Sequence, residues 1–572
     1  MHSAFLRPAS VLALASLLIP RAFLPQAVAQ DEIVSVPPER PFLLPARVGV
    51  FAEVRLTLQQ ALESALANNN NIDASRINRQ ISGYNLTGAR GLYDPTVGAV
   101  GQFLKQVNPV ASALGGSATG AVLNRTWQIA PTLSGATPWL GGSYRLDFSS
   151  QRDFTNNTFV TLNPQYPTAI TFEYTQPLWR NLSYDQNRHS IDVAKKNRDL
   201  SDEQFRQQVM QVVNQTEQAY WELVYAYTNL EVQLEAVEIG RQQDESNRRQ
   251  QAQGLLAPID VVAAQTQLAA FELDAYRAQA ALTLAENTLK TLMLPDRSSA
   301  LWASALIPVT QPDAEAPPVN LPDSVAEALA ERPDLAQVKI SSEINQKDRR
   351  FYRDQTKAQV DLIGSYSHAG LAGPIFVQPG PNPFTASFAP LIDQINQLSA
   401  IAGLPPVSFN TGGSPVPALL VGGYGQALSN MWAGNFPTAQ VQLRVSLPIR
   451  NRTAEANLSV AIANQRLIQN QQDQLEQSIQ SDVRNAMQLM TSTQLRLDAA
   501  RVQRESAEEQ YNSEQRQFRA GTSTFFLVQQ RQATMITARS QERRTQSDLG
   551  EAISVYELAT GAILRRHNIT LQ

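Results

Sequence analysis

The stretch from Val209 to Leu292 constrains the chain most, because it carries two heptad seams running in opposite directions about a turn. On the first arm small or apolar residues stand at Val209, Val212, Thr216, Ala219, Leu223, Ala226 and Leu230, alternately three and four apart. That spacing keeps one stripe of a helix facing a partner helix. The second arm holds the rhythm through Val261, Ala264, Leu268, Phe271, Ala275, Ala278, Leu282, Ala285, Leu289 and Leu292. Between the arms lies Gly254-Leu255-Leu256-Ala257-Pro258, a glycine suited to end a helix and a proline suited to begin one. The pattern predicts an antiparallel helical hairpin.

The first arm is helical in pattern from about 183 to 253, which at 1.5 Å per residue makes a rod of roughly 100 Å. A compact domain has no use for such a rod. The second arm is about half as long, and the Pro-rich, aperiodic linker 295–320 follows it. A second long helix is predicted at about 453–519, with Ile479, Val483, Ala486, Met490, Thr493, Leu497 and Ala500 on one seam. Its turn is Arg519-Ala520-Gly521-Thr522-Ser523, and a half-length helix from about 524 to 560 returns.

Each long helix is preceded by strands and, before them, by a shorter helix. The first short helix begins near Thr57 and runs to about Arg90; the second includes Ala328-Leu329-Ala330-Glu331-Arg332-Pro333-Asp334-Leu335 and ends near Lys357. Between Pro95 and Trp179 the period becomes two. Tyr144, Leu146 and Phe148 alternate with Arg145, Asp147 and Ser149, and Ile170, Phe172 and Tyr174 alternate with Thr171, Glu173 and Thr175. Such alternation marks strands with one apolar and one polar face. Weaker strand patterns occupy 96–105 and the stretch around Trp127 and Ile129. In the second half Val360, Leu362 and Tyr366 form one strand pattern, and Val441, Leu443, Val445 and Leu447 another, separated by a Gly- and Pro-rich loop at about 371–436.

The order helix, strands, long helix, turn, half helix therefore occurs twice. The expected organisation is a signal peptide at 1–29, a Pro-rich tether at 30–56, repeat one at 57–294, an equatorial linker at 295–320, repeat two at 321–562 and a short tail at 563–572. Arg7, the apolar run from Val11 to Ile19 and Ala27-Val28-Ala29 carry the signal reading.

Composition excludes several classes of function. A net charge of -4 supplies no field for nucleic acid. The absence of cysteine removes disulfides, thiolate metal sites, cysteine nucleophiles and lipid attachment through an N-terminal cysteine. The four histidines, His2, His189, His368 and His567, have no metal-ligand neighbour at helical spacing. No catalytic, cofactor or metal constellation emerges, so an enzyme is not expected. With no apolar run long enough to span as a helix, entry into a membrane would have to use strands. About four amphipathic strands cannot close a useful barrel alone, but three chains would supply twelve.

The chain resembles the TolC-like outer-membrane efflux proteins. The resemblance rests on Leu56-Thr57-Leu58-Gln59-Gln60-Ala61-Leu62, the strand exits Gln176-Pro177-Leu178 and Leu447-Pro448-Ile449, the segment Ala328 to Leu335 and the turn Arg519-Ala520-Gly521-Thr522, in this order and duplicated. It implies a mostly α chain with a β-barrel portion: a homotrimer whose barrel, of about four strands per chain, crosses the outer membrane and continues as a coiled-coil α-barrel tunnel through the periplasm. The implied function is the exit duct of a tripartite efflux or type I secretion system, with outer-membrane lipid around the barrel. The implied partners are a periplasmic adaptor (membrane fusion) protein and an inner-membrane transporter. The alternative, from the heptads alone, is a non-conducting periplasmic coiled-coil protein.

By the same resemblance the two turns form the periplasmic tip where the adaptor docks and the entrance closes. The residues concerned are Gly254, Leu255, Leu256 and Asp260 from the first turn and Arg519, Gly521, Thr522, Ser523, Leu527 and Gln530 from the second. Family members often carry carboxylates just after the second turn. Leu527 and Gln530 stand there instead, and Asp260 has its carboxylate in the first repeat only, so the expected closure is apolar or amide-lined. The additional strand-like sequence between Pro95 and Trp179 is expected to form an extracellular hairpin.

Overall fold

The computed structural model describes residues 42–571 apart from 112–115, 117–119, 314, 377–387 and 408–415. The signal peptide, the first part of the tether (30–41) and part of the long loop lie outside the described residues. The chain forms two compact units. Of the described residues, the larger comprises those within Ala46–Leu230, Gln279–Ser506 and 537–571, and the smaller comprises 42–45, Glu231–Ala278 and Ala507–Ile536.

In chain order the elements begin with strand β1 (Ala52–Leu56) and helices α1 (Leu58–Asn68) and α2 (Asn70–Arg90). Four strands follow, β2 (Thr96–Pro109), β3 (Ala121–Ala136), β4 (Ser143–Thr155) and β5 (Thr168–Pro177), and then α3 (Gln186–Ala252) and α4 (Pro258–Met293). The linker contributes β6 (Ser304–Pro308). The second half has α5 (Leu321–Glu331), α6 (Pro333–Gln355), β7 (Gln359–Gly370), α7 (Ala389–Ile401), α8 (Tyr424–Trp432), β8 (Phe436–Ser446), α9 (Arg452–Arg519), α10 (Phe525–Thr560) and α11 (Ile563–Arg566).

The heptad positions are the buried ones. Val209, Val212, Thr216, Ala219, Leu223 and Ala226 are buried on α3, as are Leu282, Ala285 and Leu289 on α4. These α3 and α4 residues, Thr216 apart, share one core with Ala61 and Leu62 of α1. On α9 all the seam residues from Ile479 to Ala500 are buried. Ile479, Val483 and Ala486 pack with Ala328 and Leu335, while Met490 and Leu497 pack with Leu549, Ala552 and Ile553 of α10.

Both of the shorter helices predicted as continuous are broken. The first is interrupted at Asn69, which is extended (φ -68°, ψ 124°) and accepts hydrogen bonds from the Asn71 and Ile72 amides. A buried asparagine side chain thus begins α2 where the periodicity alone runs on. The second breaks at Arg332, because Pro333 drives the residue before it out of the helical region.

The tether and linker, read as aperiodic, each hold a short strand. β1 and β6 pair in parallel from Ala52↔Ser304 to Leu56↔Pro308. Tyr220 of α3 locks them: its hydroxyl donates to the Leu56 carbonyl at 3.0 Å and accepts from the Thr310 amide at 3.0 Å. Leu56, Leu306, Ile563 and Leu564 join the same core. Strands this short carry too few residues to reveal a period.

Candidate functional site

The remaining six strands form one antiparallel sheet in the order β2-β3-β4-β5-β7-β8. The strand pair expected as a separate hairpin thus lies in one sheet with the four strands expected of the barrel portion. Register sorts their side chains. Val97↔Leu133, Leu133↔Leu146, Leu146↔Phe172, Phe172↔Tyr366 and Tyr366↔Ala439 are successive partners across the sheet. Directly opposed residues share a face, so one apolar row crosses all six strands. Parallel rows add Phe103 and Trp127, with ring centroids 4.5 Å apart, and the partners Leu362 and Leu443. The other face carries Gln102, Gln128, Arg145, Asp147, Glu173, Ser365 and Gln440, with Arg145 and Asp147 ion-paired at 2.7 Å.

The apolar face is open. Val97 is 80% exposed, Trp127 58%, Phe172 46%, Tyr366 51% and Val441 78%. Scattered exposed apolar residues are ordinary, but a contiguous band across six strands marks a surface that meets lipid or protein. Among the described residues no helix is long and apolar enough to cross a membrane.

Of the segment between β7 and β8, read as one long loop, part is helical. α8 packs on the far end of the sheet: Thr168 donates to the Ala427 carbonyl at 3.2 Å, and Asn430 donates to Leu371 and Leu419 carbonyls. A Cβ at Gly370 would stand 2.1 Å from the Ala427 carbonyl, so glycine is required there for the helix to seat.

The predicted tip residues all belong to the smaller unit. Its two turns are closed by the same device. Gly254 has φ +75°; its amide bonds the Gln251 carbonyl at 2.8 Å, and the Leu255 amide bonds Gln250 at 2.9 Å. Gly521 has φ +74°, with Gly521 to Phe518 and Thr522 to Gln517 at 3.0 Å each. This is the paired bond pattern of a left-handed glycine cap. After it, Leu255, Ile259 and Phe526 are 72%, 62% and 70% exposed, and Leu527, Gln530 and Arg519 are also exposed. Leu256 and Asp260 are half-buried, the latter in the first turn of α4. Ser523 bonds Glu514, buried Phe525 packs near Phe518, and Gln529 donates to the Ala263 carbonyl at 3.0 Å, tying one hairpin to the other. Ile259 and Phe526 were not singled out in the sequence. Both lie one residue from a predicted site residue, on the apolar side of their turn.

A side chain at either turn glycine would have to adopt the left-handed conformation, at about 1–2 kcal/mol. Gly254→Val is therefore expected to loosen the first turn and leave the sheet intact. Hydrogen exchange of residues 250–258 should accelerate about tenfold, with unchanged protection in β4 and β5.

In the larger unit Glu217, Glu557 and His567 converge with oxygens and ring nitrogen close enough for a metal. Each already has a protein partner: His567 lies 2.6 Å from Glu217, Ser554 donates to Glu217, and Arg566 pairs with Glu557. The arrangement reads as an internal polar network. Helical spacing could not reveal it, since its members come from α3, α10 and the tail.

Two carboxyls of α10 titrate abnormally. Burial pushes Glu557 up to about 7, opposed by Arg566, and burial likewise lifts Glu551 to about 7 against the pull of Arg544. A carboxyl whose folded pKa exceeds its unfolded value of about 4.5 contributes stability that is complete below that value and is lost as pH rises through about 7. The thermal midpoint is expected to fall between about pH 5 and pH 8, and Glu551→Gln should flatten part of that fall in a melting series.

Residues 146–293, which include most of β4 and all of β5, α3 and α4, match the family model described as outer membrane efflux protein. The chain carries that domain, and the TolC-like resemblance read from its residues stands. Several solved channels share the fold. The Campylobacter jejuni CmeC outer membrane channel is 14% identical with a TM-score of 0.60, over 88% of this chain and 85% of that one. CusC, described for transmembrane channel formation, is 14% identical with a TM-score of 0.60, over 92% and 99%. The Neisseria gonorrhoeae MtrE outer membrane channel in its open state is 16% identical with a TM-score of 0.55, over 89% of each chain. No curated protein matches the chain by sequence. Over residues 146–293 the chain is thus similar to outer membrane efflux proteins.

Proposed function

We propose that the protein is the outer-membrane exit duct of a tripartite efflux or type I secretion system. Three copies close their sheets into a barrel in the outer membrane, and their long helices form a coiled-coil tunnel on the periplasmic side. The observation that carries this reading is the sheet: one face carries an exposed apolar row across six strands, covered by α8 only at the end near Thr168 and Gly370, and the other face is polar. A soluble coiled-coil protein has no use for that apolar row. The chain's halves, 57–294 and 321–562, act as two repeats of one unit, joined by the linker 295–320. Export energy comes from an inner-membrane transporter, and a periplasmic adaptor docks on the turns at Gly254 to Asp260 and Arg519 to Ser523, whose exposed Leu255, Ile259 and Phe526 suit a helical hairpin partner.

The test is the native mass of the mature protein extracted in detergent from isolated outer membranes, corrected for bound detergent. Three copies in that fraction are expected. A monomer recovered from the periplasm without detergent would refute the duct and leave the non-conducting coiled-coil protein.

A further inference from the structure

We infer that the barrel wall is built from six strands per chain, eighteen in all, with β8 of one copy hydrogen-bonded to β2 of the next. The inference rests on the trimeric duct proposed above and specifies its wall.

The pair β2–β3 was expected to stand outside the membrane as a hairpin. Its ends contradict that placement. β2 starts three residues after the turn that ends α2 at Tyr93, so it leaves from the helical end of the sheet. Register then pairs Thr96 with Ser134 and Pro109 with Ala121, so β3 runs back the full distance. The turn from Thr137 to Gly142, which leads into β4, lies beside the start of α3: Gln176 donates to the Leu140 carbonyl at 2.7 Å, and a Cβ on Gly141 would meet the Asn181 carbonyl at 2.4 Å. An extracellular hairpin would begin and end at the opposite end.

Length and patterning agree. β2 and β3 have 14 and 16 residues, β4 13 and β8 11, all enough for a tilted strand to cross a bilayer at about 9–11 residues. Val97, Phe103, Trp127, Ile129 and Leu133 continue the apolar face, while Gln102, Thr126 and Gln128 continue the polar one. β3 also occupies the edge that β4 would need for a four-stranded contribution, through pairs from Asn124↔Thr155 to Ala136↔Ser143. Among the described residues β2 and β8 are the two edges of the sheet. β2 runs away from the helices and β8 runs toward them, so joining them between copies is antiparallel, and the alternation closes without a break. Exposed Val441, Leu443 and Val445 on β8 would then continue into Val97 and Phe103 of the neighbour.

The consequence is width. At equal tilt, barrel diameter grows about linearly with strand number, so eighteen strands give roughly 1.5 times the bore of twelve. That is the range in which porins hold a water-filled channel.

The chain has no cysteine, so introduced pairs report alone. Gln102→Cys on β2 is combined with Gln440→Cys or Gln442→Cys on β8, all on the polar face, in full-length protein in outer membranes. A disulfide needs Cα atoms within about 7 Å, so oxidation is expected to link subunits into covalent trimers at one of these registers or at one two residues away. Gln151→Cys on β4 with the same β8 positions should give no link. A trimer by native mass whose links run from β8 to β4, or that shows no β8 to β2 link anywhere along the strands, overturns the eighteen-stranded wall and leaves the duct reading intact. Absence of the trimer itself sinks both.

Discussion

Replacing Phe172 by arginine is expected to abolish recovery of the protein from the outer membrane, while Thr171→Arg, one residue away, is tolerated. Phe172 lies in the middle of the apolar row, between Leu146 and Tyr366, and Thr171 opposes Asp147 and Ser367 on the other face. An arginine facing lipid near the bilayer midplane costs about 2–4 kcal/mol. A threefold assembly incurs that cost three times, about 6–12 kcal/mol, comparable with the whole stability of a typical domain. On the polar face an arginine meets water and, at residue 171, the Asp147 carboxylate. The measurement is the amount of trimer in outer-membrane fractions of the two variants. Equal loss in both would mean that the sheet is buried in protein on both faces. Equal tolerance would mean that Phe172 faces water, and the barrel would go with it.

The contrast between these neighbours is visible in the sequence, because a strand has a period of two and β5 obeys it strictly. β2 obeys it poorly. Val97 and Phe103 mark one face, but Val100 and Leu104 stand on the other, and Gly98 and Gly101 dilute both. β3 carries Pro131 in mid-strand, where the ladder to β4 is interrupted between Ile129 and Thr132. Periodicity therefore counts these strands weakly, and it says nothing about the end from which each one starts. Periodicity alone thus does not join this pair to the other four strands. The long helices were legible to within three residues at their ends, since seam residues recur over many turns and a glycine closes each hairpin. The break at Asn69 was not, because a capping side chain leaves the apolar rhythm intact. The polar networks were invisible for a different reason: Glu217 and His567, or Arg47 and Glu286, meet only after the chain has travelled through several elements.

The network around Glu286 should give the largest loss of stability from a single substitution in the larger unit. Glu286 and Lys290 are 1% and 2% exposed, one turn apart on α4 and paired at 2.8 Å. Arg47, from the segment before β1, pairs with the same carboxylate, and Lys290 donates to the Ser304 carbonyl at 2.6 Å and the Trp302 carbonyl at 3.2 Å. One carboxylate thus ties the segment before β1 and the start of β6 to α4. Burial and the Arg47 charge pull the Lys290 ammonium down to about 8. Its ammonium stands 2.8 Å from the Glu286 carboxylate as well as donating to the two carbonyls. Removing one partner of a buried pair costs about 3–5 kcal/mol, because the remaining charge keeps its desolvation penalty. Glu286→Ala is therefore expected to lower the unfolding free energy by about that much, read from denaturant midpoints. Adding Lys290→Met should restore part of it by removing the stranded ammonium. If the double variant were less stable than Glu286→Ala, the bonds from Lys290 to the Trp302 and Ser304 carbonyls, rather than its pairing with Glu286, would be what holds this joint.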